Sequence, residues 1–182
     1  DVYKRQLYDT EPKQLTEVIE SNFDTSFIIS RNKFLYGLCE IKNRDYLFSL
    51  DLKKTKQKIR IIKKFDNFVG NLSSNPKGNL FSWIEWNSDH MPWEKNFLFF
   101  ASIDNDGDIQ EISEFTCKDI NGGKNVSFFQ PYWISNNLLV CSEDSTGWWN
   151  LCFLDVTDFK NIVLKKRIIK SCIEYGSPQW IS

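Results

Sequence analysis

The chain has 182 residues, 41% of them hydrophobic and 15% aromatic, and its 23 Lys and Arg against 24 Asp and Glu leave a formal net charge of −1. This is enough apolar material for one globular core, and no apolar run approaches the roughly 18 residues of a membrane span. The balanced charge argues against nucleic acid as a partner, because binders of that class carry a clustered basic face.

Asp1 to Gln6 resemble translated sequencing-adapter sequence and are set aside as non-native, so the lack of a leader peptide carries little weight. Leu7-Tyr8 and Gln14-Leu15-Thr16 read as the tail of a preceding unit, residues 7–16. From there the chain consists of short segments rich in Phe, Ile, Leu, Tyr and Trp that alternate or run apolar before a turn signal, which is strand behaviour. A first unit spans about 26–65, with strands expected at 26–30, 34–41, 46–52 and 59–65. A second spans about 68–115, with strands at 68–73, 80–86, 97–103 and 109–115 and a long loop through Met91-Pro92-Trp93. The third spans about 130–170, with strands at 131–134, 138–142, 150–156 and 162–170, and residues 177–182 open another.

The units repeat. Arg60-Ile61-Ile62-Lys63 returns as Arg167-Ile168-Ile169-Lys170, and the pairs Leu50-Asp51, Ile103-Asp104 and Leu154-Asp155 recur at steps of 53 and 51 residues. Four antiparallel strands at a period near 50 describe the blades of a β-propeller. The sequence therefore predicts an all-β chain with three complete four-stranded blades and partial blades at 7–16 and 177–182. That is too few to close a ring, so a fragment is expected. The lysine-rich fourth strands suit blade rims, where charge discourages edge-to-edge pairing. The dense run Lys53, Lys54, Lys56, Lys58, Arg60, Lys63 and Lys64 reads as a solvated strand and turn.

Few residues suggest chemistry. Cys39, Cys117, Cys141, Cys152 and Cys172 show no C-x-x-C spacing, which favours reduced thiols in a cytoplasmic protein over a disulfide framework, with a Cys141–Cys152 bridge across a hairpin as the alternative. His90 is the single histidine, so no zinc site is expected. Asp104, Asp106 and Asp108 alternate like a calcium loop, but Ile109 and Phe115 stand where an EF-hand needs Gly and Glu, so a polar hairpin turn is expected. Trp83, Trp86, Trp93, Trp148 and Trp149 read as core packing between blades, with a ligand-binding aromatic surface as the alternative. Glu85, Asp89 and Glu94 read as solvated loop carboxylates. Asn71-Leu72-Ser73 and Asn125-Val126-Ser127 are sequons by pattern only. Trp133 and Trp180 each follow a proline by two residues, and in the parent propeller both are expected to pack between neighbouring blades, with Trp133 buried and Trp180 partly exposed in this fragment.

Three ordered motifs carry a family resemblance. Pro131-Tyr132-Trp133 followed by Ser142-Glu143-Asp144-Ser145-Thr146-Gly147-Trp148-Trp149-Asn150-Leu151 resembles the P-x-W…S-[DE]-x-[ST]-G-W-W-N-L blade signature of bacterial prolyl oligopeptidase family members of the dipeptidyl or acylaminoacyl peptidase type. Trp83-Ile84-Glu85-Trp86 leading to Met91-Pro92-Trp93, and Glu174-Tyr175-Gly176-Ser177-Pro178-Gln179-Trp180, resemble two further segments of the same proteins. The chain departs from that pattern at Asn87-Ser88-Asp89, which displaces His90, so no role is carried onto His90. The resemblance implies an N-terminal propeller that caps an α/β-hydrolase domain with a Ser-Asp-His triad. No glycine here frames a serine as the G-x-S-x-G elbow requires, so the triad lies outside this chain. The expectation is the gating portion of a serine peptidase that acts on short peptides through its hydrolase domain. No catalytic, cofactor or metal residue is assigned, and no nucleic acid or membrane partner. The alternative is a non-catalytic propeller that binds protein or carbohydrate.

Overall fold

The computed structural model describes residues 4–8, 15–20, 24–53, 59–168 and 173–176. Among these described residues all regular structure is β, in fourteen strands. The chain divides into two compact units, residues 1–66 and 67–182.

In the first unit, β1 (Lys4–Tyr8) and β2 (Leu15–Glu20) form an antiparallel pair. β1 thus begins inside the six residues set aside above. A four-stranded antiparallel sheet follows: β3 (Asp24–Arg31), β4 (Phe34–Glu40), β5 (Asp45–Asp51) and β6 (Arg60–Lys64), paired in chain order. The middle strand β4 is buried along almost its whole length, while edge strand β6 is mostly exposed. Gly37 is required at the centre of β4, because a Cβ there would stand 2.5 Å from Ile28 Cδ1 and 2.8 Å from the Phe48 ring. Lys54, Lys56 and Lys58 of the basic run lie outside the described residues. Lys63 places its ammonium 4.7 Å from the Phe65 ring centroid.

The second unit holds two further sheets of the same topology. One contains β7 (Phe68–Ser74), β8 (Leu80–Trp86), β9 (Phe97–Ile103) and β10 (Ile109–Phe115). The other contains β11 (Phe128–Trp133), β12 (Leu138–Glu143), β13 (Asn150–Asp155) and β14 (Val163–Arg167). The three blade-type sheets expected from the sequence are present. The opening strand β3 begins two residues, and β11 three residues, before the pattern suggests. The first strand of each four-stranded sheet carries a bulge, two residues facing one on the partner, and the first of the two (Phe27, Asn71 or Gln130) has a positive φ of 50°, 53° or 51°. A bulge inserts a residue and breaks the two-residue alternation, so the strand before it reads out of phase. The opening at 177–182 and the indole of Trp180 lie outside the described residues.

The second unit's core lies between its two sheets. Leu80, Ile84, Leu98 and Phe100 from one face meet Phe128, Trp133, Leu139, Cys141, Cys152 and Leu154 from the other. Trp133 packs edge-on against Phe100 at 5.9 Å between centroids and donates its indole N–H to Ser82 Oγ at 3.1 Å. This is the inter-blade contact expected for Trp133. The turns of the two sheets also interlock, as Asn75 Nδ2 donates to the Asn136 carbonyl and the Lys77 amide to Asn136 Oδ1, both at 3.0 Å.

The tetrapeptide repeat does not mark equivalent positions. Phe34 pairs with Asp51 and Leu138 with Asp155, which makes Phe48 the counterpart of Cys152 and Ser49 that of Phe153. Arg60 pairs with Ser49, whereas Arg167 pairs with Cys152, one register step away. In a strand one step reverses the face. Arg60 accordingly donates to Ser49 Oγ at 3.3 Å, while Arg167 turns toward Glu143 and Cys117.

Candidate functional site

Because successive strands run antiparallel, the β8–β9 loop, the β10–β11 link, the β12–β13 loop and the segment after β14 all leave their sheets at one end of the second unit. Polar side chains join these four segments. Asn96 is buried, donates to the carbonyls of Pro92 (2.7 Å) and Phe128 (2.6 Å), and accepts from the Phe128 amide (2.8 Å). Its amide serves as a short piece of backbone, and it satisfies β11 where no strand can reach. Asp144 accepts from the Ser127 amide at 2.8 Å and from Lys124 Nζ at 2.7 Å. The Trp149 amide donates to Glu174 Oε2, and the Tyr175 amide donates to the Trp149 carbonyl.

The motif residues 142–151 build the β12–β13 loop. Glu143 is fully buried and accepts from the Ser145 amide (2.9 Å) and hydroxyl (2.7 Å). Its charge faces Arg167 Nε at 3.6 Å, and Arg167 also donates to the Lys118 carbonyl at 2.7 Å, so the last strand is tied to the β10–β11 link. Asn150, also fully buried, donates to Thr146 Oγ1 and the Trp148 carbonyl. Gly147 sits at the loop tip with φ 82°, which a side chain would strain. Beyond this framework the end of the unit exposes Met91, Trp93, Ile120, Trp148, Ile173 and Tyr175. The arrangement is a fixed polar lattice beneath apolar and aromatic groups, suited to contact with a ligand or protein.

The tryptophans therefore divide. Trp83 is fully buried, stacks on Phe99 and donates to Glu85 Oε1 at 2.8 Å, and Trp86 and Trp149 pack against the core. Trp93 and Trp148 stand outward instead. Glu85 is not a solvated loop carboxylate: it is 6% exposed, because β8 extends through Trp86 and the indole of Trp83 supplies its partner. Asp89 is exposed, and Glu94 Oε2 accepts the Met91 amide at 2.8 Å. The acidic run makes the expected hairpin turn, with Asp104 Oδ1 accepting from the amides of Asp106 and Asp108 at 2.9 Å each. Among the described residues no group of three or more His, Cys, Asp or Glu is placed to hold a metal. His90 is exposed. Sequence reasoning missed the structural parts played by Asn96, Asp144 and Arg167, because each acts on backbone or side chains brought near only by the fold.

No family model matches the chain. No curated protein matches it either. Solved structures do. A puromycin-hydrolyzing peptidase from Mycobacterium tuberculosis superposes with a TM-score of 0.71 at 16% identity, over 97% of this chain and 29% of its own. A puromycin hydrolase gives 0.71 at 19% identity, over 92% of this chain and 27% of its own. TolB from Acinetobacter baumannii gives 0.60 at 13% identity, over 91% of this chain and 37% of its own. The chain thus shares its fold with less than a third of the length of each of the two hydrolytic enzymes.

Proposed function

We propose that this chain is the propeller portion of a serine peptidase of the prolyl oligopeptidase family, with the catalytic α/β-hydrolase domain in another part of the protein. The observation that carries this reading is the fold shared with two puromycin-hydrolysing enzymes over 92–97% of the chain. The three blade motifs on which the family resemblance rests support it from the sequence side. In this reading the propeller restricts access to short peptides, and the exposed aromatics of the loop end lie where a substrate or the hydrolase domain makes contact.

The test is an assay of the complete parent protein on puromycin and on short aminoacyl amides, with and without a fluorophosphonate directed at the serine nucleophile. Turnover that the inhibitor abolishes is expected. A second reading, a propeller that only binds protein or carbohydrate, is supported by the exposed apolar and aromatic groups of the loop end. A parent protein with no G-x-S-x-G segment and no inhibitor-sensitive turnover would select it.

A further inference from the structure

Cys141 and Cys152 lie directly opposite each other in the β12–β13 ladder. Their sulfurs are 3.3 Å apart, and both residues are buried in the core between the two sheets of the second unit, 1% and 0% exposed. Facing residues of an antiparallel pair have Cα atoms about 4.5–5.5 Å apart, inside the roughly 4.4–6.8 Å that a disulfide spans. Rotation about the two side chains, with the backbone in place, therefore closes the remaining gap.

We infer that Cys141 and Cys152 are a built cross-strand disulfide site, closed by exchange with a small-molecule disulfide while the sheet forms and sealed once the core packs. This inference is independent of the peptidase reading. The chemistry takes two steps. One cysteine thiolate attacks glutathione disulfide, forming a mixed disulfide and releasing one glutathione thiolate. The second cysteine thiolate then attacks the protein sulfur of that mixed disulfide, forming the bridge and releasing the second glutathione. Two protein thiols are oxidised, one glutathione disulfide is reduced to two thiols, and the two protons lost by the protein thiols end on the two released glutathione thiolates.

Timing follows from burial. The thiolate is the attacking species, and in the folded protein no oxidant reaches either sulfur. The hydrogen bond with Cys152 and then burial push the Cys141 thiol well above its ordinary range, which keeps it protonated. Cys117 is the competing thiol nearby, half-buried and accepting a hydrogen bond from Arg167 at 3.3 Å. Its burial pushes it up to about 11.

The test compares two arms on the full chain. In one, reduced protein unfolded in urea is refolded in a glutathione disulfide/glutathione mixture. In the other, reduced folded protein meets the same mixture. Both are quenched with iodoacetamide, denatured and mapped by mass spectrometry. Refolding is expected to yield a Cys141–Cys152 linked peptide with Cys39, Cys117 and Cys172 alkylated. The folded arm is expected to bridge slower by about tenfold or more, because the packed core keeps the oxidant from both sulfurs and only the thiolate attacks. The bridged protein should also unfold at higher urea than the reduced one. Alkylation of all five cysteines after refolding, a bridge to Cys117, or equal rates in the two arms would overturn the inference. So would an unfolding midpoint no higher than that of the reduced form. Cys117→Ser leaves the pair intact and must still bridge.

Discussion

Trp133 joins the two sheets of the second unit by ring packing and by one hydrogen bond, and the two contributions can be separated. Burying an indole removes roughly 150–250 Å² from water, and Trp→Ala in a core costs about 3–5 kcal/mol. Trp133→Ala should lower the urea midpoint of the chain accordingly. Trp133→Phe keeps most of the ring but leaves the Ser82 hydroxyl without its donor, for a smaller loss of about 1 kcal/mol. Equal midpoints for wild type and Trp133→Ala would show that the indole is not a structural joint. Glu143 offers a second test. Its carboxylate is fully enclosed and faces Arg167, whose side chain is 19% exposed. Removing one partner of a buried ion pair costs about 3–5 kcal/mol because the other charge is stranded. Glu143→Gln should therefore destabilise more than Glu174→Gln, whose carboxylate lies on an exposed segment. Thermal melts of the two variants check the order. Trp133 was legible in the sequence because its partner in the pattern, Trp180, repeats the same Pro-x-Trp setting. Glu143 was seen only as a motif letter, since nothing local shows that Arg167, on another strand, will turn to meet it.

Elements show where pattern reading succeeds and where geometry intervenes. The strands were legible because a two-residue apolar rhythm is what a blade's covered faces demand, and the rim strands because they carry charge: β6 and β14 are edge strands. The bulges at Phe27, Asn71 and Gln130 were not legible. They fall at equivalent registers in three sheets, yet three unrelated side chains fill them, since the requirement is on the backbone. Holding a residue in the left-handed region costs about 1–2 kcal/mol and more for a β-branched one. Gln130→Val should destabilise by about that amount and Gln130→Asn should be tolerated, as the same melts would reveal. The rim strand β14 has a pH signature. Asp155 accepts from Lys165 Nζ at 2.8 Å and from the Thr157 amide at 2.9 Å, and these bonds, that of Lys165 first, hold its carboxyl well below the usual range. A carboxyl depressed on folding stabilises the fold above its unfolded pKa of about 3.9. That stability declines as pH falls below this value toward the folded pKa. Lys165→Ala should thus accelerate hydrogen exchange at β14 most at neutral pH, with the difference from wild type shrinking progressively as pH falls below about 3.9. Equal exchange at neutral pH would show that the link contributes nothing.

At the scale of the whole molecule, the division of labour proposed for the parent protein can be probed from this chain's own surface. The chain has no G-x-S-x-G segment and its one histidine, His90, is exposed on a loop, so residues 1–182 alone should not cleave puromycin or aminoacyl amides. Inhibitor-sensitive cleavage by a preparation free of host peptidases would refute that. The loop end makes a finer demand. Trp148 is 39% exposed at the tip of a loop whose shape is fixed by Glu143, Thr146 and Asn150 rather than by the indole itself. Trp148→Ala should therefore cost the isolated chain little, about 1 kcal/mol or less, as surface substitutions do. If the loop end faces the substrate's route in the parent protein, the same substitution should raise KM with kcat nearly unchanged, the pattern left when a contact made equally in ground and transition states is lost. A fall in kcat with KM unchanged would place Trp148 in positioning the hydrolase domain. Unchanged kinetics in the parent would mean that this end is solvent-facing there and that the access route lies elsewhere on the propeller.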